Sequence, residues 1–236
     1  MLVQQKQNTK GFSLLELLVI VVIVGIIGAI SFPGYTSWST DRKLRQDQEK
    51  ISSLLSIATT QVERGSYAYV KLEFEKTTPA SITVKGVSKT NFSKKINGPK
   101  DPTCDSSDFT GADEWNEIAS YTLDKNTFIP GFIKKSSSST TGEGITICFS
   151  KGGKYFKKVG AINLQPIDTI PSAKNFIPIC HIKNICSALG GTSSFGDNYS
   201  SYLIVYSRFG LITKYKWACS ISATGKNCSS GKWVEQ

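Results

Sequence analysis

Apolar and polar positions fall into three regimes along the chain. From Leu14 to Phe32 nearly every side chain is apolar and Glu16 is the only charged one. As a helix, a run of that length can cross a hydrocarbon layer of about 30 Å. Beyond Pro33 the pattern changes. Leu44, Ile51, Leu54, Leu55, Ala58 and Val62 recur at helical spacing, with Arg42, Lys43, Asp47 and Lys50 lying between them. This predicts an amphipathic second half that lays its apolar stripe on a sheet, ended by Gly65. The two halves read as one helix over 12–64, and Pro33 and Gly34 at the seam predict a kink or local melting.

After the helix the period shortens to two. "YAYVKLEFE" (67–75) alternates as a strand does, while "INGPKDPTCDSSDFTGAD" (96–113) is rich in turn formers and predicts a loop. "ASYTLDKNTFIPGFI" (119–133) and "GITICFSK" (144–151) predict strands on either side of the low-complexity connection "KKSSSSTTGEG". "KGGKYFKKVGAINL" (151–164) predicts a turn and another strand. The clearest signal is "YSSYLIVYSRFGLITKYKW" (199–217). Its first arm ends near Tyr206, "SRFG" turns, and Leu211, Thr213, Tyr215 and Trp217 alternate with Ile212, Lys214 and Lys216. That predicts a hairpin with one polar face. A long helix followed by antiparallel strands makes an α+β domain with the helix packed on the sheet.

Composition narrows the chemistry. The chain has 236 residues, a formal charge of +10 and a pI of about 9.3. Such a balance suits nucleic acid, anionic lipid or an acidic surface and singles out none. A single histidine, His181, leaves little for general-base or metal chemistry. "GTSSFG" lacks the lysine of a phosphate loop. Asp105, Asp108, Asp113 and Glu114 crowd one loop without the oxygen spacing of a calcium site. These residues predict neither an enzyme nor a cofactor.

Six cysteines in a chain whose apolar run can cross a membrane point to an oxidising compartment and three disulfides. Nearest-neighbour pairing joins Cys219 to Cys228 and Cys180 to Cys186 and leaves Cys104 with Cys148, one of 15 connectivities open to six cysteines. The competing reading of "CHIKNIC" is a metal site built on Cys180, His181 and Cys186. Its spacing is not a standard zinc pattern, and an even cysteine count favours disulfides. Near the C-terminus Arg208, Lys214, Lys216, Lys226 and Lys232 accompany Tyr215, Trp217 and Trp233. Lysines among aromatics can track a nucleic-acid backbone and stack bases. A solvated face flanking a core is the plainer reading.

Glu16 remains to be explained. A carboxylate in a membrane span costs roughly 2.5–3.5 kcal/mol on insertion scales. Ala29-Ile30-Ser31 could serve as a signal-peptide cleavage site, but a signal core seldom carries a carboxylate. The stretch "KGFSLLELLVIVVIVGIIGAISFPGY" (10–35) instead resembles the N-terminal signature of type IV pilins and pseudopilins. The resemblance rests on Gly11, Phe12 and Glu16, with Gly25 and Pro33 where many pilins carry glycine and proline.

That resemblance implies a leader over 1–11, cleavage between Gly11 and Phe12 by a prepilin peptidase, and N-methylation at Phe12. It implies that Glu16 meets the amino terminus of a neighbouring subunit during assembly, with Pro33 in the same assembling helix. Residues 12–34 would be the transmembrane and filament-core half, and 35–236 the pilin globular domain, including the amphipathic half 35–64. A disulfide Cys219–Cys228 resembles the C-terminal loop of many pilins. The implied partners are other pilin subunits, the prepilin peptidase and inner-membrane lipid before assembly, with DNA a further candidate. The implied location is the bacterial inner membrane as a single-pass protein with its C-terminal domain in the periplasm. After assembly it would lie in an extracellular pilus or a periplasmic pseudopilus. Chain length and cysteine content suggest a minor pilin of a type IV pilus. A type II secretion pseudopilin and a DNA-uptake minor pilin are the alternatives. One DNA-uptake group carries an arginine-bearing motif after the late glycine, where "FGLITKYKW" has lysines only. Adhesion, twitching motility, DNA uptake and secretion all stay open.

Overall fold

A computed structural model describes residues 13–75, 79–96, 104, 109, 115–129, 145–153, 157–159, 175–181, 201–207, 209–221 and 228–236. Of these, 29–34, 36–37, 95–96, 145, 157–159, 218–221 and 228–232 are described by backbone alone. The chain divides into two units, residues 1–39 and residues 40–236. Helix α1 (Leu14–Glu63) begins in the first and ends in the second.

In the first unit, α1 starts with Leu17 N–H donating to Ser13 O at 3.1 Å. Its side chains from Leu14 to Ile27 stand exposed on every side, as a helix without a polar face must. The helical backbone passes through Pro33 and Gly34, so the expected melting there does not occur. Proline removes one donor from the ladder, and the helical turns on either side carry it across the gap.

In the second unit the end of α1 is enclosed. Leu44, Ile51, Leu54, Leu55, Ala58 and Val62, the six positions of the apolar stripe, are all buried. They meet two five-stranded antiparallel sheets rather than the single sheet expected. The first sheet runs β3-β2-β1-β5-β6. It comprises β1 (Tyr67–Glu75), β2 (Ser81–Ser88), β3 (Trp115–Thr122), β5 (Ile145–Ser150) and β6 (Lys157–Val159). The second runs β10-β9-β8-β7-β4, from β4 (Thr127–Phe128), β7 (Phe176–His181), β8 (Tyr202–Tyr206), β9 (Ile212–Ile221) and β10 (Cys228–Glu235). One core joins the helix to both. Val70, Leu72, Phe74, Val84 and Ile147 come from the first sheet, and Ile177, Ile179, Tyr202, Ile204 and Tyr206 from the second.

Three details follow from the alternation of strand side chains. In β1, Val70, Leu72 and Phe74 enter this core, so Tyr69, Lys71 and Glu73 face the other way. There a second small core forms from Tyr69, Val87, Cys104, Phe109 and Cys148, with Phe92 of the short helix α2 (Lys89–Ile96) and Trp115 against it. The Cys104–Cys148 disulfide, Cα–Cα 6.3 Å, ties that layer to β5. Lys71, buried beneath Trp115 with its ammonium 3.9 Å from the ring, pairs with Glu73 at 2.5 Å. Glu73 also takes Lys85 at 2.7 Å. Burial opposes the charge on Glu73, but the hydrogen bonds from the two lysines prevail and hold its carboxyl below the usual range.

The end of α1 is closed by Ser66 N–H to Gln61 O (3.0 Å) and Gly65 N–H to Val62 O (2.9 Å), with Gly65 at φ +70°. This paired closure is the Schellman arrangement, and it needs a residue without Cβ strain at that φ.

Candidate functional site

Two sets of residues bear on function, one in each unit. In the first unit, Glu16 lies in the first turn of α1, an exposed carboxylate among exposed Leu14, Leu15, Leu17 and Leu18. Gly25 and Gly28 have nothing within 4 Å of where a side chain would begin. A helix surface this apolar demands cover, and its lone charge demands a counter-charge once covered. Among the described residues no helix is long and apolar enough to cross a membrane. The segment expected to do so, 12–34, extends past the described side chains at both ends. Gly11 and Phe12 lie outside the described residues, and Pro33 is described only as helical backbone.

The second set holds α1 to the sheets. Asp47, expected among the polar positions between the stripe residues, is 1% exposed, and Gln48 is fully buried. The correction has a geometric cause. Positions 47 and 48 stand three and four residues after Leu44 and four and three before Ile51, which is the centre of the stripe itself. Asp47 accepts from Tyr121 Oη at 2.6 Å, from Asp124 N–H at 3.3 Å and from the Thr127 hydroxyl. It thereby binds the end of β3 and the start of β4. Burial raises its carboxyl above the ordinary range, against the pull of those donors. Burial and the same carboxylate push the Tyr121 phenol upward in turn. Gln48 Nε2 donates to Leu203 O (3.1 Å) and Tyr215 O (3.2 Å), main-chain carbonyls facing each other across β8 and β9. About two turns earlier, Asp41 accepts from Tyr202 Oη at 2.9 Å and from Lys216 Nζ at 3.1 Å. Lys43 reaches Asp124 at 3.3 Å; burial opposes the charge on Asp124, but the Asn126 N–H, donating at 2.9 Å, and Lys43 hold its carboxyl below the usual range.

This placement changes the reading of the basic strand. In register, Lys216 stands opposite Tyr202, Lys214 opposite Ile204 and Ile212 opposite Tyr206. Tyr202, Ile204 and Tyr206 belong to the helix-facing core, so the polar face expected of β9 is the face turned to α1. Lys216 clamps Asp41 there. On the opposite face Tyr215 and Trp233 pack with Phe176 and Leu203, and Trp217 meets Trp233 edge-on at 5.2 Å. The structure therefore keeps Lys214 and Lys216 on one side of the sheet and Tyr215, Trp217 and Trp233 on the other. Arg208 and Lys226 lie outside the described residues, and Lys232 is described by backbone alone.

Cys180 is disulfide-bonded and buried in β7, while Cys186 lies outside the described residues. His181 ends β7 opposite Thr127 and is buried as well. Cys219 and Cys228 are described by backbone only, in the β9–β10 hairpin, where Cys219 faces Gly231 and Cys228 faces Ile221. Among the described residues no cluster of histidine, cysteine and carboxylates could hold a metal.

Residues 6–32 match the prokaryotic N-terminal methylation motif. The chain carries the type IV pilin and pseudopilin signature. The signature spans the N-terminal segment alone, and it gives the exposed Glu16 helix its setting. It implies a membrane-anchored precursor that passes into a pilus or pseudopilus, and it points to a structural subunit. The α+β arrangement, a helix followed by antiparallel sheets, is pilin-like. No curated protein and no solved structure matches the chain.

Proposed function

We propose that the chain is made as a prepilin, cut between Gly11 and Phe12, N-methylated at Phe12 and assembled as a minor subunit of a type IV pilus. Glu16 carries this reading: one carboxylate in the first turn of an otherwise apolar, all-round exposed helix bearing the methylation motif. Cleavage after Gly11 would free an ammonium on Phe12, four residues and about one helical turn from Glu16. In lipid the uncompensated carboxylate costs roughly 2.5–3.5 kcal/mol. Pairing it with the amino terminus of a neighbouring subunit relieves that cost, so assembly is favoured over residence in the bilayer. Before assembly the helix anchors the protein in the inner membrane with residues 35–236 on the periplasmic side.

The test is intact-mass and N-terminal analysis of the protein from host membranes, with and without the prepilin peptidase. The expected product starts at methylated Phe12 and appears only when the peptidase is present. A product starting near Phe32 would place Glu16 in a discarded signal peptide and end the proposal. The companion variant Glu16→Ala is expected to be cut normally yet missing from sheared filaments. Wild-type protein recovered from a periplasmic pseudopilus instead would move the assignment to a secretion system.

A further inference from the structure

We propose that the second unit carries a binding site for a small organic acid with an aromatic or branched apolar body. A cavity of about 290 Å³ opens where the end of α1, the start of β1, α2 and the end of β5 converge. Its wall is almost wholly apolar, formed by Val62, Tyr67, Tyr69 and Phe92, and its mouth carries Lys89 and Lys151. The volume admits a body on the order of ten to fifteen non-hydrogen atoms, at the small end of ligand pockets.

The wall is held rigid by its own packing. Tyr69 is buried and meets Phe92 edge-on at 5.2 Å, and Phe92 is presented by α2, whose first turn Ser88 caps by accepting from Asn91 N–H at 3.2 Å. A preformed aromatic wall loses little order on binding a flat apolar group.

The charges favour an anion at the mouth. Lys89 and Lys151 are exposed, and neither has an ion-pair partner among the described residues. The positive end of α2 starts at Lys89 itself. Two opposing features lie close by. The negative end of α1 is at Gly65, where a Cβ would come within 3.1 Å of Lys89 Nζ, and the Glu63 carboxylate accepts from Gly152 N–H at 3.1 Å. The balance stays positive, with two ammonium groups and one helix start against one carboxylate and one helix end. Sugars fit poorly, because they require many more polar partners than this wall offers. An apolar acid satisfies both parts: its body displaces water from the wall and its carboxylate takes the lysines.

The test uses the full chain in nanodiscs of zwitterionic lipid, with empty nanodiscs as the blank. Ligands are 3-(4-fluorophenyl)propanoate and its neutral amide, titrated by fluorine NMR. Saturable binding of the acid is expected, with the amide about tenfold weaker. Lys89→Gln with Lys151→Gln, both on exposed side chains, should bring acid and amide to similar affinity. Ala68→Trp, which fills the cavity from β1, should remove both, circular dichroism confirming the fold. An acid that fails to saturate, or whose preference over the amide survives loss of both lysines, would overturn the proposal. The lysine pair keeps the test decisive should Ala68→Trp fail to fold. The result is independent of pilus assembly.

Discussion

At the scale of single residues, Asp47 has the largest consequences. Its native carboxyl titrates above its unfolded value, so between the two the folded state binds the proton more readily. The stability it contributes is therefore greatest in acid and falls as pH rises from about 4 through the raised native value. Asp47→Asn removes this titration, so its penalty should be largest in acid and shrink toward neutral pH. Urea midpoints measured from pH 3 to 7 would show it. Asp47→Ala strands the Tyr121 and Thr127 hydroxyls and should cost about 2–4 kcal/mol in acid, and less toward neutral pH because it removes the same titration. Gly210 is the second such position. At φ +86°, with Thr59 of α1 only 3.0 Å from where its Cβ would stand, Gly210→Ala should lose on the order of 1–3 kcal/mol. Thermal unfolding of the variant checks this.

Among secondary-structure elements, the amphipathic half of α1 was the most legible in the sequence. All six stripe positions are buried because burial on one face and a 3.6-residue period leave little freedom. Ile51→Ala or Leu55→Ala, both at full burial, should each cost about 2–5 kcal/mol in denaturant titrations. β1 was legible to its last residue, Tyr67–Glu75, because one of its faces is uniformly apolar. The second sheet was less so. β7, "FIPICH", is buried at every position and so lacks alternation, and its cysteine and histidine drew attention to ligand chemistry instead. β9 alternates as expected, but alternation alone does not tell which face meets the helix. Asp47 was misplaced, and Gln48 passed over, for a related reason. Polar side chains in an apolar stripe read as gaps, although their spacing puts them at its centre. Reduction of Cys104–Cys148 tests the outer layer. Cross-linking across 44 residues is worth roughly 3–4 kcal/mol, and its loss should loosen Tyr69, Phe109 and Trp115 first, seen as a falling near-ultraviolet dichroism signal.

For the molecule as a whole, the carboxylates divide by sign. Glu73 and Asp124 titrate below their unfolded values, so the stability they supply is present above those values and is lost as pH falls through the lower native ones. Asp47 acts in the opposite direction. Unfolding of the second unit in strong acid should therefore be governed by the Glu73 and Asp124 pairs. Lys85→Met, which frees one side of Glu73, should bring the acid transition to higher pH. At this scale the sequence disclosed the division of labour in α1, apolar then amphipathic, because each half answers to a different solvent. It left the outer aromatic layer and the basic cavity mouth hidden, since both depend on residues far apart in the chain.

The clamp on α1 has a mechanical meaning. Asp41, Asp47 and Gln48 fall within two turns of the helix, and between them they grip β3, β4, β8 and β9. A tension drawn along this helix would load those bonds together, in shear and shared between two sheets, instead of peeling one strand at a time. A subunit pulled by its helix would then yield at a single high force, and releasing the grip of Gln48 should split that event into smaller steps.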